Sequence, residues 1–363
     1  MKKYLTPQLY KELQNKKTTN GYTLNEIIAC GISCGYLVPR MMGCMAGDYD
    51  CYYKFGSLFD PIIRDYHNFG PFDKHNTDLN PGHLRKVKNM DPNAKYVLST
   101  RIRVARSISG FSFPAGMSRG ERREVESITK KCFKKLNEDL GGMYVALNDM
   151  DNEENDDLIQ RHILFDNPDE WGITCGLGKD WPDARGIYVN VETLDDHPDF
   201  VVWVNEEDHL RIMVVKKGGD IFEVFDKLVR GISTIERTLA EQGHEFLHDE
   251  RLGYMTSCPT NLGTGLRASM HVKLMHLGRL EGFDEMCERM QLEVRGKHGE
   301  TDKKNSGIYD VSNSVRLGPS EVELIQTMID GVRHLIKLEK ALENGETINC
   351  ADWPNDDMKI FGF

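Results

Sequence analysis

The order of strand-like and helix-like segments is the feature that most limits the folds open to this chain of 363 residues. The runs 95–104, 200–205 and 210–216 are rich in β-branched and apolar residues, as strands are. Segments 221–242 and 320–345 instead have helical patterns. Because strands and helices are mixed without regular alternation, the sequence favours an α+β fold over a doubly wound parallel sheet.

Capping-box patterns mark where two of the helices begin. Ser118 with Glu121 predicts a helix that runs on to Gly141. Ser320 with Glu323 predicts a second, strongly amphipathic helix near the end of the chain.

The first 65 residues differ from the rest of the chain. They contain short helical patterns, interrupted by a segment rich in glycine and methionine at 31–47. Residues 70–95 are polar and contain three prolines, as a linker does. A small helical unit ahead of a larger domain is the organisation expected.

Composition narrows the functional classes. The formal net charge of −11 argues against wholesale nucleic-acid binding, and no apolar run approaches membrane-spanning length. The N-terminus lacks the pattern of a signal or transit peptide. Nine scattered cysteines without zinc-site spacing favour reduced thiols, and hence a cytoplasmic protein.

The run TSCPTNLGTGLR at 256–267 points to a phosphate-handling site. Its glycines would let the backbone approach a ligand closely. Arg267 can form paired hydrogen bonds with phosphate oxygens, and Cys258 offers a thiolate that its surroundings could tune. No Gly-Lys-Ser/Thr follows the glycines, which excludes a P-loop.

Arginines recur beside strand-like or turn segments. The set comprises Arg101, Arg103, Arg211, Arg267 and Arg295. Each alone could be a solvated surface residue, but the spacing of two at Arg101 and Arg103 puts both on one strand face. Together the five could neutralise a triphosphate and stabilise a phosphoryl group in transfer.

Acidic residues form the second candidate feature. Glu206, Glu207 and Asp208 separate two strand-like runs and could be a solvated turn, a cradle for a cationic substrate or a water-mediated Mg²⁺ site. Glu300 lies in a polar loop that could be a mobile surface segment or a lid. His162, His209 and His271 lie near these elements, and none is assigned acid–base work.

Long motifs in a fixed order resemble those of the phosphagen (guanidino) kinases, especially the creatine kinase branch. The motifs are GCMAGD (43–48), LFDPII (58–63), TDLNP (77–81), LSTRIRVARSI (98–108), SRGERR (118–123), DWPDARGI (180–187), VNEEDHLR (204–211) and TSCPTNLGTGLR. The similarity covers the chain from about Leu5 to Gly345. It implies reversible, MgATP-dependent phosphorylation of a small guanidino compound, the reaction that buffers ATP.

The resemblance also implies residue roles. The five arginines, with His162 and Asp310, would bind ATP or ADP. Glu207 would hold the guanidinium, with Cys258 beside it as a thiolate and Glu300 as a further catalytic carboxylate. The Mg²⁺ would be held mainly by nucleotide phosphates and water, without a protein metal site.

The implied architecture is a small all-helical N-terminal domain and a large domain with an antiparallel β-sheet flanked by helices, a glutamine synthetase-like catalytic domain. We expect a guanidino-substrate domain at 1–75, a linker at 76–95 and the catalytic domain at 96–363. The creatine branch also implies a cytoplasmic homodimer with neither nucleic-acid nor membrane partners.

Acceptor choice rests on a few positions in the resemblance. Glu300 stands where creatine kinases carry valine, and Tyr66 where they carry arginine, so creatine is disfavoured. Both residues are instead like those of arginine kinases. The 31–47 loop, with Met42, is almost as long as in creatine kinases, whereas arginine kinases have a much shorter loop. Members of the creatine branch with other acceptors typically use lombricine, taurocyamine or glycocyamine. The first prediction is therefore lombricine or taurocyamine, and the alternative is arginine; Arg40 could meet an anionic acceptor tail.

Two other functions stay open. A non-catalytic nucleotide-binding relative is disfavoured because Glu207, Cys258 and all five arginines are present. A protein-arginine kinase is disfavoured by the small helical N-terminal unit, which in the small-substrate enzymes helps to enclose the acceptor.

Overall fold

A computed structural model describes residues 1–34, 42–85, 89–194, 196–296 and 307–348. Its helices are α1 (Pro7–Leu13), α2 (Leu24–Ser33), α3 (Cys51–Lys54), α4 (Gly56–His67), α5 (Arg119–Phe133), α6 (Asn152–Gln160), α7 (Glu170–Thr174), α8 (Ile221–Glu241), α9 (Phe283–Arg289) and α10 (Glu321–Glu343). Its strands are β1 (Val97–Arg106), β2 (Met143–Ala146), β3 (Gly186–Val189), β4 (Phe200–Val204), β5 (Leu210–Lys217), β6 (His248–Asp249), β7 (Gly253–Tyr254), β8 (Leu266–Lys273), β9 (Leu292–Gly296) and β10 (Ile308–Asn313).

Eight strands form one antiparallel sheet in the order β2-β3-β4-β5-β1-β8-β10-β9. One face of this sheet is apolar and packs against the long helices α8 and α10. Ile102 and Val104 of β1, for example, are fully buried there. The prediction of an α+β fold with a helix-flanked antiparallel sheet is confirmed.

The N-terminal helices have a core of their own. Leu58 and Phe59 of α4 are fully buried with Ile27 of α2, and this core extends to Met255 and Leu262 of the large domain. The helical unit therefore rests on the chain just before and within the 256–267 run. The boundaries at 75 and 95 stay a prediction.

Both predicted capping boxes are present at α5 and α10. The expected end of the first helix near Gly141 is wrong, because α5 ends at Phe133. Asn137 is extended and Glu138 is left-handed, with φ of 53°. This turn lets Leu136 and Leu140 both reach the core before the chain enters β2.

In the described part of the chain, no helix is long and apolar enough to cross a bilayer. The eight cysteines that fall within it are free thiols.

Candidate active site

The arginines lie on the sheet face that points away from α8 and α10. Side chains alternate along β1, so Arg101 and Arg103 lie on this face while Ile102 points into the core. Arg103 is directly opposite Arg267 of β8 in the strand register. On the other side of β1, Arg211 of β5 is opposite Ala105. The expected convergence of these arginines is therefore built into the pairing of three strands.

Arg101 and Arg103 are the arginines of this face whose charge is least offset by the carboxylates that the structure describes. Neither forms an ion pair with any residue the structure describes. Burial, followed by the nearby Arg211, holds the pKa of Arg103 well below its ordinary value. Burial and the charge of Arg267 lower the pKa of Arg101 to about 10. Such a cluster would gain from a bound polyanion, because phosphate charge would offset the mutual repulsion.

The other expected phosphate-side residues lie toward the far edge of the sheet. Arg267 pairs with Asp310 of β10 at 2.6 Å, and although burial opposes ionisation, Arg267 keeps the pKa of Asp310 low. Asp310 is opposite Arg295 of β9 in the register. Arg295 itself is partly exposed and pairs with Glu293 at 2.8 Å. Arg295 is thus the member of the set with the most freedom to move.

The acidic turn lies beside the arginine face and is tied to it by Arg211. This guanidinium contacts Glu206 at 2.7 Å and Glu207 at 2.8 Å. Asn205 enters the turn in a left-handed conformation, with φ of 56°, and its side-chain amide donates to the carbonyls of Arg122 and Ala184. These hydrogen bonds hold the turn against the neighbouring backbone, so it is not a solvated loop.

The carboxylate of Asp208 anchors the same turn to the 256–267 run. It is fully buried and accepts a hydrogen bond from the Ser257 amide at 2.9 Å. The Ser257 hydroxyl donates to the Glu207 carbonyl at 2.7 Å. Burial and the charge of Glu207 raise the pKa of Asp208 to about 7. The two segments thus form one rigid unit.

Asn261 completes this unit, and sequence reasoning missed it. Its side-chain amide donates to Glu207 Oε1 at 3.0 Å, so it orients the carboxylate expected to hold a guanidinium. The only signal in the sequence was its place between Cys258 and Arg267. A lone asparagine in a turn has no pattern that separates this role from local capping.

Cys258 lies beside Glu207 and is 9% exposed. Burial, and then the charge of Glu207, raise the pKa of its thiol to about 12, while a contact of 3.1 Å with the Thr260 hydroxyl opposes this shift. Without a ligand the sulfur is therefore a protonated thiol. The thiolate implied by the resemblance would need a cation next to it.

The two glycines of the run with positive φ, Gly263 and Gly265, lie against neighbouring backbone. A β-carbon on Gly263 would lie 2.4 Å from the Arg316 carbonyl oxygen, and one on Gly265 would lie 2.6 Å from that of Ala105. These glycines let the run pack against neighbouring backbone. This packing fixes the path of the chain between Cys258 and Arg267.

A cavity of about 540 Å³ opens at this junction. Its lining includes Arg101, Arg211 and Glu206 together with His162 and Trp203. His162 lies on an exposed turn with φ of 58°. His209, by contrast, is fully buried, and burial lowers its pKa to about 4. His209 is thus a structural residue that receives the Ile108 amide on its ring nitrogen.

The structure describes only some of the residues expected to select the acceptor, Tyr66 and Met42 among them. Tyr66 lies in the last turn of α4 and packs edge-to-face on His67, with 4.7 Å between the ring centroids. The pKa of Arg295 is raised by Glu293 and, more weakly, by Tyr66, against the effect of burial. Met42 packs against the N-terminal helical core, and its carbonyl accepts from the N-terminal amine. Arg40 and Glu300 lie outside the described residues.

The sequence of the chain matches a known protein family over both of its parts. Residues 1–64 match the ATP:guanido phosphotransferase N-terminal domain, and residues 124–342 match the C-terminal catalytic domain of the same family. The chain is 45% identical over 352 residues to the B-type creatine kinase of Gallus gallus, covering 96% of this chain and 91% of that protein. It is 44% identical to the M-type creatine kinase of Oryctolagus cuniculus over the same shares.

Solved structures give a second view. A lombricine kinase superposes with a TM-score of 0.86 at 38% identity, covering 98% of this chain and 95% of that one. The duplicated taurocyamine kinase from Schistosoma mansoni superposes with a TM-score of 0.84 at 34% identity, covering 94% of this chain and 46% of that one. The chain belongs to the ATP:guanido phosphotransferase family, and it is an enzyme of the phosphagen kinase class.

Proposed function

We propose that this protein transfers the γ-phosphoryl group of MgATP, reversibly, to the guanidino group of a small acceptor. The observation that carries the proposal is the junction at Arg211. An unbalanced arginine cluster on one side suits a polyphosphate, and Glu207 with Cys258 on the other suits a cation. The two reactants would therefore meet across a few ångströms.

The chemistry asks the protein for position and charge. A guanidinium nitrogen is a poor nucleophile because its lone pair is delocalised. Glu207, held by Asn261 and Arg211, would pair with the guanidinium and aim one nitrogen at the phosphorus. Arg101, Arg103 and Arg267 would stabilise the charge spread over the phosphoryl oxygens.

The proton of the attacking nitrogen has a candidate acceptor. Glu207 is the carboxylate in position to take it as the nitrogen–phosphorus bond forms, and to return it in the reverse direction. A guanidinium beside Cys258 would offset both burial and the Glu207 charge, so the pKa of the thiol would fall. The thiolate would then help to hold the acceptor.

Magnesium fits this site as an ion bound to the nucleotide. The Glu206 carboxylate lines the cavity beside Arg101 and Arg211, where it can meet such an ion through water. When bound, Mg²⁺ neutralises charge on the β- and γ-phosphates. His162, Arg295 and Asp310 complete the proposed nucleotide site.

For the acceptor we propose lombricine or taurocyamine, with arginine as the second candidate. Tyr66 and Glu300 differ from the creatine kinase pattern and argue against creatine, and both also fit the second candidate, arginine. The likeness to lombricine and taurocyamine kinase structures supports the first candidates. Identity to creatine kinases is higher, at 45%, which makes creatine the necessary comparison. Arg40 and Met42 belong to the same proposed acceptor site, and a cytoplasmic homodimer is the proposed working form.

The decisive experiment is an initial-rate panel with MgATP and arginine, creatine, glycocyamine, taurocyamine or lombricine. We expect turnover with lombricine or taurocyamine to exceed that with creatine by at least about tenfold in kcat/KM, a difference of about 1.4 kcal/mol. A preference for creatine would overturn the acceptor proposal. Nucleotide binding without turnover of any guanidine would instead support a binding protein.

A further inference from the structure

Two cysteines that are far apart in the sequence meet between the N-terminal helices and the large domain. Cys30 lies on α2, and Cys175 caps the end of α7. Both are almost fully buried, in one cluster with Met45, Leu177 and Cys258. Neither belongs to the proposed catalytic or nucleotide site.

The packing of α2 against α7 holds this pair together. One turn beyond Cys30, the Cys34 sulfur lies 3.5 Å from the Thr174 hydroxyl and 3.8 Å from the Glu170 carbonyl oxygen. The two helices therefore run close to each other over the length of α7. A bond between Cys30 and Cys175 would join residues that are already neighbours.

The two thiols also act on each other. The Cys175 thiol donates to the Gly172 carbonyl oxygen at 3.6 Å. Its interaction with the Cys30 side chain lowers the pKa of Cys30 and raises that of Cys175. At Cys44, in the same helical unit, burial dominates and the pKa is raised instead. Cys30 is thus the better nucleophile of the pair, and Cys175 lies in position to resolve it.

We propose that Cys30 and Cys175 form a reversible, redox-active disulfide site that links α2 to α7. The oxidant is a peroxide, which is small enough to enter a buried cluster. The Cys30 thiolate attacks hydrogen peroxide and becomes a sulfenic acid, with loss of hydroxide. Cys175 then displaces the sulfenic oxygen as water; in sum, two thiols and one peroxide give one disulfide and two waters.

The bond would tie the N-terminal helices to the large domain beside the proposed acceptor site. Because Cys30 and Cys175 share one buried cluster with Cys258, the link would restrain the packing beside the proposed acceptor site. We expect a reversible loss of turnover. This consequence rests on the proposed function, whereas the disulfide itself does not.

Peptide mapping tests the disulfide without any need for turnover. The full-length protein is treated with hydrogen peroxide, blocked with N-ethylmaleimide and digested without reductant. We expect a cross-linked peptide pair containing Cys30 and Cys175, a mass decrease of about 2 Da in the intact chain, and reversal by dithiothreitol. If Cys30 and Cys175 are instead both recovered as maleimide adducts, the proposal is wrong.

Variants separate this pair from the other thiols. In Cys175→Ser we expect Cys30 to accumulate as a sulfenic acid that dimedone traps, and the peroxide dose for half-inactivation to rise at least about threefold. Cys132→Ser and Cys287→Ser change buried cysteines elsewhere and should behave like the wild type. Equal inactivation of wild type and Cys175→Ser would overturn the link to activity, and mapping on the wild type stays decisive if a variant folds poorly.

Discussion

The two faces of the central sheet are formed by the same strands but differ in composition: one face is apolar, and the other is rich in arginine. On β1, Ile102 and Val104 are fully buried against the helices, while Arg101 and Arg103 between and beside them face other arginines. The apolar face stabilises the fold through burial. The arginine face costs stability, since burial and mutual repulsion disfavour its charges, and such strain is typical of functional sites.

Arg103→Gln tests whether the arginine face serves turnover and not stability. Loss of one charge from the phosphate side should lower kcat by about 10³-fold or more, as expected for an arginine that stabilises phosphoryl transfer. The melting temperature should stay equal or rise, because repulsion from Arg101 and Arg211 is relieved. Steady-state kinetics and thermal unfolding measure the two effects.

Arg237→Gln is the matched control for that variant, because Arg237 is exposed on α8. It should change neither kcat nor the melting temperature. A kcat of Arg103→Gln within tenfold of the wild type would remove Arg103 from the proposed nucleotide site.

A smaller loss is expected on the acceptor side of the arginine face. Glu207→Gln keeps the shape of the side chain but removes the charge that would hold a guanidinium. We expect kcat to fall by about 10²-fold, in the range for loss of one preorganised electrostatic group, with little change in the KM for ATP. Initial rates at varied ATP and acceptor separate these parameters.

The exposed Glu241→Gln at the end of α8 serves as the control and should be neutral. If Glu207→Gln raised the KM for ATP as strongly as that for the acceptor, the division of the site into two halves would not hold.

The reactivity of Cys258 provides a third, smaller test. Because burial and Glu207 hold its pKa at about 12 without ligand, its alkylation by iodoacetamide should rise about tenfold per pH unit from pH 7 to 9, without a plateau. Glu207→Gln should speed the reaction by up to about tenfold at fixed pH, the effect of one unit in pKa.

Thr260→Val should act in the other direction and slow the alkylation, since the hydroxyl favours the thiolate. Mass spectrometry of the peptide that contains Cys258 follows each rate. A plateau below pH 8 in the ligand-free protein would show that the thiolate forms without an acceptor.

The smallest effect on turnover is expected from the apolar face. Ile102→Ala should lower the free energy of unfolding by about 2–5 kcal/mol, as for other large-to-small changes in a core. The kcat of the folded protein should stay within about twofold. Urea denaturation and kinetics well below the melting temperature check both, with the partly exposed Val215→Ala as a control expected to change stability by less than about 0.5 kcal/mol.

Some features could be predicted from local patterns because their causes are local. The alternation in β1, the capping boxes at Ser118 and Ser320, and the end of the last helix near Gly345 depend on residues a few positions apart. The early end of α5 could not be predicted, because core packing of Leu136 and Leu140 decides it. The backbone contacts of Gly263 and Gly265 could not be predicted either, since their neighbours come from distant segments.

The sequence by itself determined the family, the helix-flanked sheet and the set of arginines that share one strand face. Only the tertiary structure decided that Arg211 joins the acidic turn to those arginines, that Asn261 orients Glu207, and that Cys30 reaches Cys175. Periodicity records which face a side chain occupies. It does not record which faces meet or how burial and charge then shift each pKa. Those properties depend on segments that are distant in the sequence and that only folding brings together.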